Sequence, residues 1–123
     1  MDLLIEQLKR HEGYRKHVYQ CTAGKNTIGY GRNLDDVGID EEEAELLLYN
    51  DIKKARKNLG EHLPWSLTID PVRFNVLVNM CFNLGLAGLL GFKNTLELVR
   101  QHRYEEAADQ MLKSRWAKQM DIS

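Results

Sequence analysis

Between His17 and Gly31 the chain drops helical periodicity. His17-Val18-Tyr19-Gln20 and Asn26-Thr27-Ile28-Gly29-Tyr30 read as short β-like runs separated by Thr22-Ala23-Gly24-Lys25, the pattern of a small antiparallel hairpin. An isolated two-stranded hairpin is marginal in water. It must therefore pack against helices or gain a third short strand, for which the stretch from Asn33 to Val37 is placed. This requirement ties the hairpin to a helical remainder and makes the fold class α+β.

The helical remainder is marked by periodicity and caps. Leu3, Leu4, Leu8 and Ile5 recur at helical spacing, with Asp2 as N-cap and Gly13 as stop, so a first helix of about ten residues ends at Glu12. The helix dipole puts partial negative charge at that end, an electrostatically poor place for an ionised carboxylate. Asp40 and Glu43 form a capping-box pair. Ala44, Leu47, Leu48, Asp51, Ile52, Ala55 and Leu59 then follow one face of a long helix ending at Gly60. Glu61 to Ile69, with Pro64 and Trp65, is a connection. Asp70-Pro71 opens a strongly apolar helix through Phe74, Leu77, Val78, Cys81 and Phe82 to Gly85. A turn around Leu86 to Leu90 follows, then a helix opened by Asn94 or Thr95 and running to Gln101, another from Tyr104 to Leu112, and a last one from Ser114.

Composition removes several function classes. The 123 residues suit one domain, and 17 Lys and Arg against 18 Asp and Glu leave no electrostatic footprint for nucleic acid or an anionic membrane. Cys21 and Cys81 match no zinc spacing and are expected as free thiols, Cys81 in a core. The acidic run Asp35, Asp36, Asp40 to Glu43 lacks EF-hand spacing and is better read as a turn plus a cap. No metal and no cofactor is expected. The N-terminus, MDLLIEQLKRHEG, is neither a signal peptide nor a membrane span. Trp65 and Trp116 are both candidates for stacking on a ligand; Trp116 falls on a periodic apolar face, which favours packing, whereas Trp65 in a connecting loop stays open.

The strip from His11 to Asn33, HEGYRKHVYQCTAGKNTIGYGRN, gathers the carboxyl of Glu12, the thiol of Cys21 and the hydroxyl of Thr27. A protonated carboxyl at a helix end facing a hairpin is one arrangement that cleaves glycosidic bonds. The plainer reading is a surface Glu and a small buried thiol. The order Glu12-Gly13, Cys21, Thr27 and Ile28-Gly29-Tyr30-Gly31 resembles the catalytic signature of the phage-type lysozymes, glycoside hydrolase family 24, in a variant with Cys in the second catalytic slot. The resemblance continues through Asp40 to Asp51, Asn79 to Gly85, Gly91 to Thr95, Ala107-Ala108 and Lys113 to Trp116, and so covers nearly the whole chain.

The resemblance implies a lysozyme-like domain over residues 1–123. It has a hairpin lobe at about 13–38, a helical lobe at about 60–123 with helix 1–11 packed on it, and a linking helix at about 41–59. It implies an endolysin muramidase that hydrolyses the β-1,4 bond between N-acetylmuramic acid and N-acetylglucosamine in peptidoglycan, for host cell lysis. Glu12 would be the general acid, Cys21 the second catalytic group and Thr27 a holder of the attacking water. Phe82 and Asn83 would line the cleft, with Gln110 and Arg115 as further contacts to sugar or peptide. The alternatives are a lytic transglycosylase and a catalytically impaired peptidoglycan-binding protein of the same fold. The implied setting is a monomer without stable membrane association, made in the host cytoplasm and reaching the wall after a holin-like protein permeabilises the membrane.

Three departures accompany the resemblance. A free thiol titrates near 8.5, so Cys21 needs a neighbour that favours the thiolate; Lys25, Arg15, Arg32 and the nearby histidines are the sequence candidates. Cys21 could act as a base toward water or as a nucleophile, and the family analogy with inversion favours water. Arg32 stands where many relatives carry His, which changes any ion pair built there. Relatives also continue past the position of Ser123 through a basic helical arm that brings an Arg to the catalytic Glu, so a chain cut short there is expected to leave Glu12 without that partner.

Overall fold

The computed structural model describes residues 2–113, and the chain divides into two compact units, Met1–Leu47 and Leu48–Ser123. In the first, α1 spans Asp2–Glu12 and ends where the Gly13 N–H donates to the Lys9 carbonyl at 2.9 Å. Strands β1 (Arg15–Gln20), β2 (Asn26–Gly29) and β3 (Arg32–Asn33) follow as an antiparallel sheet in that order. The third strand that the hairpin requires is present, but earlier and shorter than the Asn33 to Val37 expectation. Asn33 accepts from the backbone N–H groups of Asp36 through its side chain and of Val37 through its carbonyl, at 2.9 and 3.1 Å. Those bonds wind the chain into a turn and take it out of the ladder.

Thr27 is central in this sheet, paired with Tyr19 on one side and Asn33 on the other. Between Arg15 and Tyr19 the β1 register shifts against β2, an irregularity of the bulge type. The end of α1 is tied to the β2–β3 connection by the Lys9 ammonium, 5.5 Å above the Tyr30 ring, which itself lies 5.7 Å from the Tyr14 ring. Such cation–π and aromatic pairs contribute at most about 1 kcal/mol each when exposed. Their value here is positional.

Helix α2 (Glu41–His62) opens with the expected capping box. The Glu43 N–H donates to Asp40 Oδ1 at 2.8 Å, and the Asp40 N–H donates back to Glu43 Oε1 at 3.1 Å. The helix does not stop at Gly60. A helix-interior Gly costs about 1 kcal/mol relative to Ala, but the turn that contains it also places Leu59, fully buried, in the core.

The second unit is built on Ala55 and Leu59 of α2 and on α3 (Pro71–Leu90), whose Leu77, Val78, Met80, Cys81 and Leu89 are buried. Asp70 caps α3 as expected, accepting the Arg73 N–H at 3.1 Å and its guanidinium at 2.8 Å. At Gly85 the backbone adopts φ 75°, ψ 166°, a conformation essentially reserved for Gly, so the helix breaks there. By length and composition α3 is apolar enough to cross a membrane, with mean hydropathy 1.3. Its buried residues form the centre of this unit's core. The connection before it contains a 3-10 turn, Pro64–Thr68, and Trp65 packs against the core. Helices α4 (Lys93–Arg100) and α5 (Tyr104–Leu112) complete the described residues. The expected last helix from Ser114, and Trp116 with it, lies outside them. A three-stranded sheet with five helices among the described residues is the expected α+β, lysozyme-like class.

Ser66, the fully buried residue of the Pro64–Thr68 turn, has a hydroxyl oxygen with no hydrogen-bond partner among the described residues. Leaving such a group unpaired costs on the order of 1–3 kcal/mol. Ser66→Ala is therefore expected to stabilise the protein by about 1 kcal/mol in urea unfolding; a loss of that size would show that the hydroxyl is satisfied.

Candidate active site

Glu12 is the last residue of α1, and its side chain is exposed. Its carboxylate lies against Gly31, where a Cβ would stand 2.8 Å from Glu12 Oε2. The next residue, Arg32, grips Glu43 with two nitrogens, each at 2.7 Å, and donates to the Gly38 carbonyl at 3.1 Å. Hydrogen bonding from Arg32, followed by the Asp40 N–H, holds the Glu43 carboxyl below its ordinary range. The corner beside Glu12 is thus anchored to the start of α2.

Cys21 follows β1 directly and is a free, half-buried thiol. The segment 21–25 closes as a tight turn, with the Cys21 N–H donating to the Lys25 carbonyl at 3.0 Å and the Gly24 N–H to the Cys21 carbonyl at 2.8 Å. The Lys25 amide, then the Ala23 amide, lower the thiol's pKa against a smaller opposing effect of burial, and the Thr27 hydroxyl adds to the lowering. Thr27 is 3% exposed, and its Oγ1 donates to the Lys25 carbonyl at 2.9 Å. Cys21 and Thr27 are therefore brought together across the β1–β2 turn.

The expected cation beside the thiol is replaced by backbone dipoles, because three of the candidate cations are engaged elsewhere. The Lys25 ammonium pairs with Asp36 at 3.3 Å, Arg32 with Glu43, and the Arg15 guanidinium lies 4.8 Å over the Tyr19 ring. Asp35, Asp36, Asp40 and Glu43 of the acidic run have structural partners. Asp35 accepts from the backbone and side chain of Asn26 at 2.8 and 3.3 Å, which lowers its pKa, and Asp36 accepts from Asn33 at 3.0 Å. No cluster of metal-binding side chains occurs among the described residues.

The remaining candidates belong to the second unit. Phe82 and Asn83 lie on α3 and line a cavity of about 380 Å³ together with Asn79, to which the Asn83 amide donates. Gln110, on α5, lines a different cavity of about 460 Å³ with Lys93, Asn94 and Lys113. Arg115 lies outside the described residues. Sequence reasoning passed over the amides of Ala23 and Lys25, although Gly24 signalled the tight turn that contains them. It also passed over the contact of Gly31 with Glu12, for which only the Gly-Tyr-Gly spacing was available.

A lowered thiol pKa means that thiolate forms at lower pH. Alkylation of Cys21 by iodoacetamide should therefore rise with a midpoint below the roughly 8.5 of a free thiol, and Thr27→Val should move that midpoint upward. Burial raises the Cys81 pKa, so Cys81 is the slow internal control. A Cys21 midpoint at or above 8.5, read by peptide mass mapping, contradicts this description.

Comparison with known proteins agrees with the resemblance across most of the chain. The Phage lysozyme family model matches residues 9–122. A protein named Endolysin from Acyrthosiphon pisum secondary endosymbiont phage 1 is 31% identical over 115 residues, covering 90% of this chain and 75% of the relative. Two proteins of Dictyostelium discoideum, named Probable T4-type lysozyme 1 and 2, are 29% and 27% identical, covering 90% and 92% of this chain and 82% and 84% of their own lengths. The chain belongs to the phage lysozyme family and is a lysozyme.

Proposed function

We propose that this lysozyme hydrolyses the β-1,4 bond between N-acetylmuramic acid and N-acetylglucosamine in bacterial peptidoglycan, with Glu12 as general acid and Cys21 as general base. The observation that carries the reading is the β1–β2 turn, whose amides favour a thiolate at Cys21 next to the Thr27 hydroxyl. In the reaction, the Glu12 carboxylic acid gives its proton to the glycosidic oxygen as the C1–O bond breaks. A water on the opposite face of the sugar, held by Thr27, attacks C1 and gives its proton to the Cys21 thiolate. Glu12 is left as carboxylate and Cys21 as thiol, and exchange with solvent restores both.

Phe82 supplies an exposed aromatic face and Asn83 an amide for contact with the glycan, and Gln110 and Arg115 serve contacts to sugar or peptide. The protein acts as a monomer in lysis of the host. It is made in the host cytoplasm and reaches the wall once a holin-like protein has permeabilised the membrane. The name Endolysin of the phage relative supports a role in lysis.

Removing a general acid costs on the order of 100-fold or more, so Glu12→Gln should reduce clearing of purified walls by at least that factor. Cys21→Asp should retain activity with its optimum moved to lower pH, since Asp titrates near 3.9 against about 8.5 for a thiol. Product masses should carry one added water. Anhydro products would identify a transglycosylase, and wall binding without clearing would identify an impaired enzyme.

A further inference from the structure

Gly29 and Gly31 sit two residues apart around the β2–β3 connection, and both have left-handed backbone, with φ 71° and 83°. By conformation alone they make the same demand for glycine. Their surroundings differ. A Cβ built at Gly29 meets nothing within 4 Å, whereas one built at Gly31 meets Glu12 Oε2 at 2.8 Å, Cδ at 3.0 Å and Cγ at 3.3 Å. The three nearest atoms all belong to the outer part of one exposed, flexible side chain. A methyl group at 31 would therefore be accommodated by swinging Glu12 aside, with little cost to the fold beyond the φ strain that Gly29 shares.

Resting on Glu12 as the acid, we propose that Gly31 is a positioning residue, whose bare Cα is the seat that fixes the Glu12 carboxyl. The seat is held on two sides. Arg32, its neighbour, is bound to Glu43 and the Gly38 carbonyl, while Lys9 of α1 lies over Tyr30. The absence of a side chain at 31 thus serves the chemistry as well as the backbone. A displacement of a reacting group by about 1 Å can cost on the order of 100-fold in rate.

The test compares Gly31→Ala with Gly29→Ala in urea stability and in kcat and KM on soluble peptidoglycan fragments, assayed where both are folded. The two variants should lose similar stability. Only Gly31→Ala should lose kcat, on the order of 100-fold, with KM changed by less than about twofold. Gly31→Asn separates strain from displacement, because Asn tolerates left-handed backbone yet carries a Cβ. It should regain stability without regaining kcat. Recovery of kcat with Asn, or equal kcat losses at 29 and 31, would overturn the seat. Glu12→Gln runs alongside: if it stays active, the acid assignment fails and the seat with it, whereas an inactive Glu12→Gln with normal kcat in Gly31→Ala refutes the seat alone.

Discussion

One carboxylate, that of Glu43, joins the sheet of the first unit to the helix that follows it. It accepts the Asp40 N–H, closing the capping box of α2, and receives both prongs of Arg32 at the start of β3. An exposed ion pair usually contributes little to stability. A two-pronged Arg contact shared with a helix cap fixes direction as well as distance. Because Arg32 follows Gly31, and the Glu12 carboxyl lies against Gly31, the cap of one helix is set close to the terminal residue of another. Hydrogen bonds to the carboxylate keep Glu43 ionised below its ordinary range, so the junction is lost only in acid.

The second group of the proposed site, Cys21, depends on a different device. A thiol is a weaker acid than a carboxyl and needs help to ionise near neutrality. The help comes from backbone amides in a five-residue turn, together with the Thr27 hydroxyl. Dipoles fixed in a turn move with the main chain and need no long side chain to be ordered. The surrounding Lys and Arg side chains remain free to build the fold through Asp36, Glu43 and Tyr19. The same short segment therefore shapes the hairpin and tunes the sulfur.

Much of the architecture was legible in the sequence because it is written in local signals. The capping box at Asp40 and Glu43, the Asp70-Pro71 start and the stops at Gly13 and Gly85 are chemistry of adjacent residues, and each lies where the pattern places it. Gly60 misled, because burial of Leu59 outweighs a glycine's propensity. The third strand was displaced because Asn33 turns the chain sooner than strand pattern can show. In the candidate site, Glu12, Cys21 and Thr27 stand out by residue type and order. The amides that act on Cys21 carry no side-chain signature, and the contact between Glu12 and Gly31 joins residues nineteen positions apart, which no local pattern records.

The central claim, that the Cys21 thiolate activates water while Glu12 protonates the leaving oxygen, fixes the stereochemistry of the product. Attack by water on the face opposite the leaving group inverts the anomeric carbon, whereas attack by sulfur followed by water retains it. The direct measurement is NMR of the reducing end formed first from a β-1,4-linked peptidoglycan fragment, recorded before mutarotation. An α anomer is the expected result, and a first-formed β anomer would contradict the assignment of Cys21 as a base toward water.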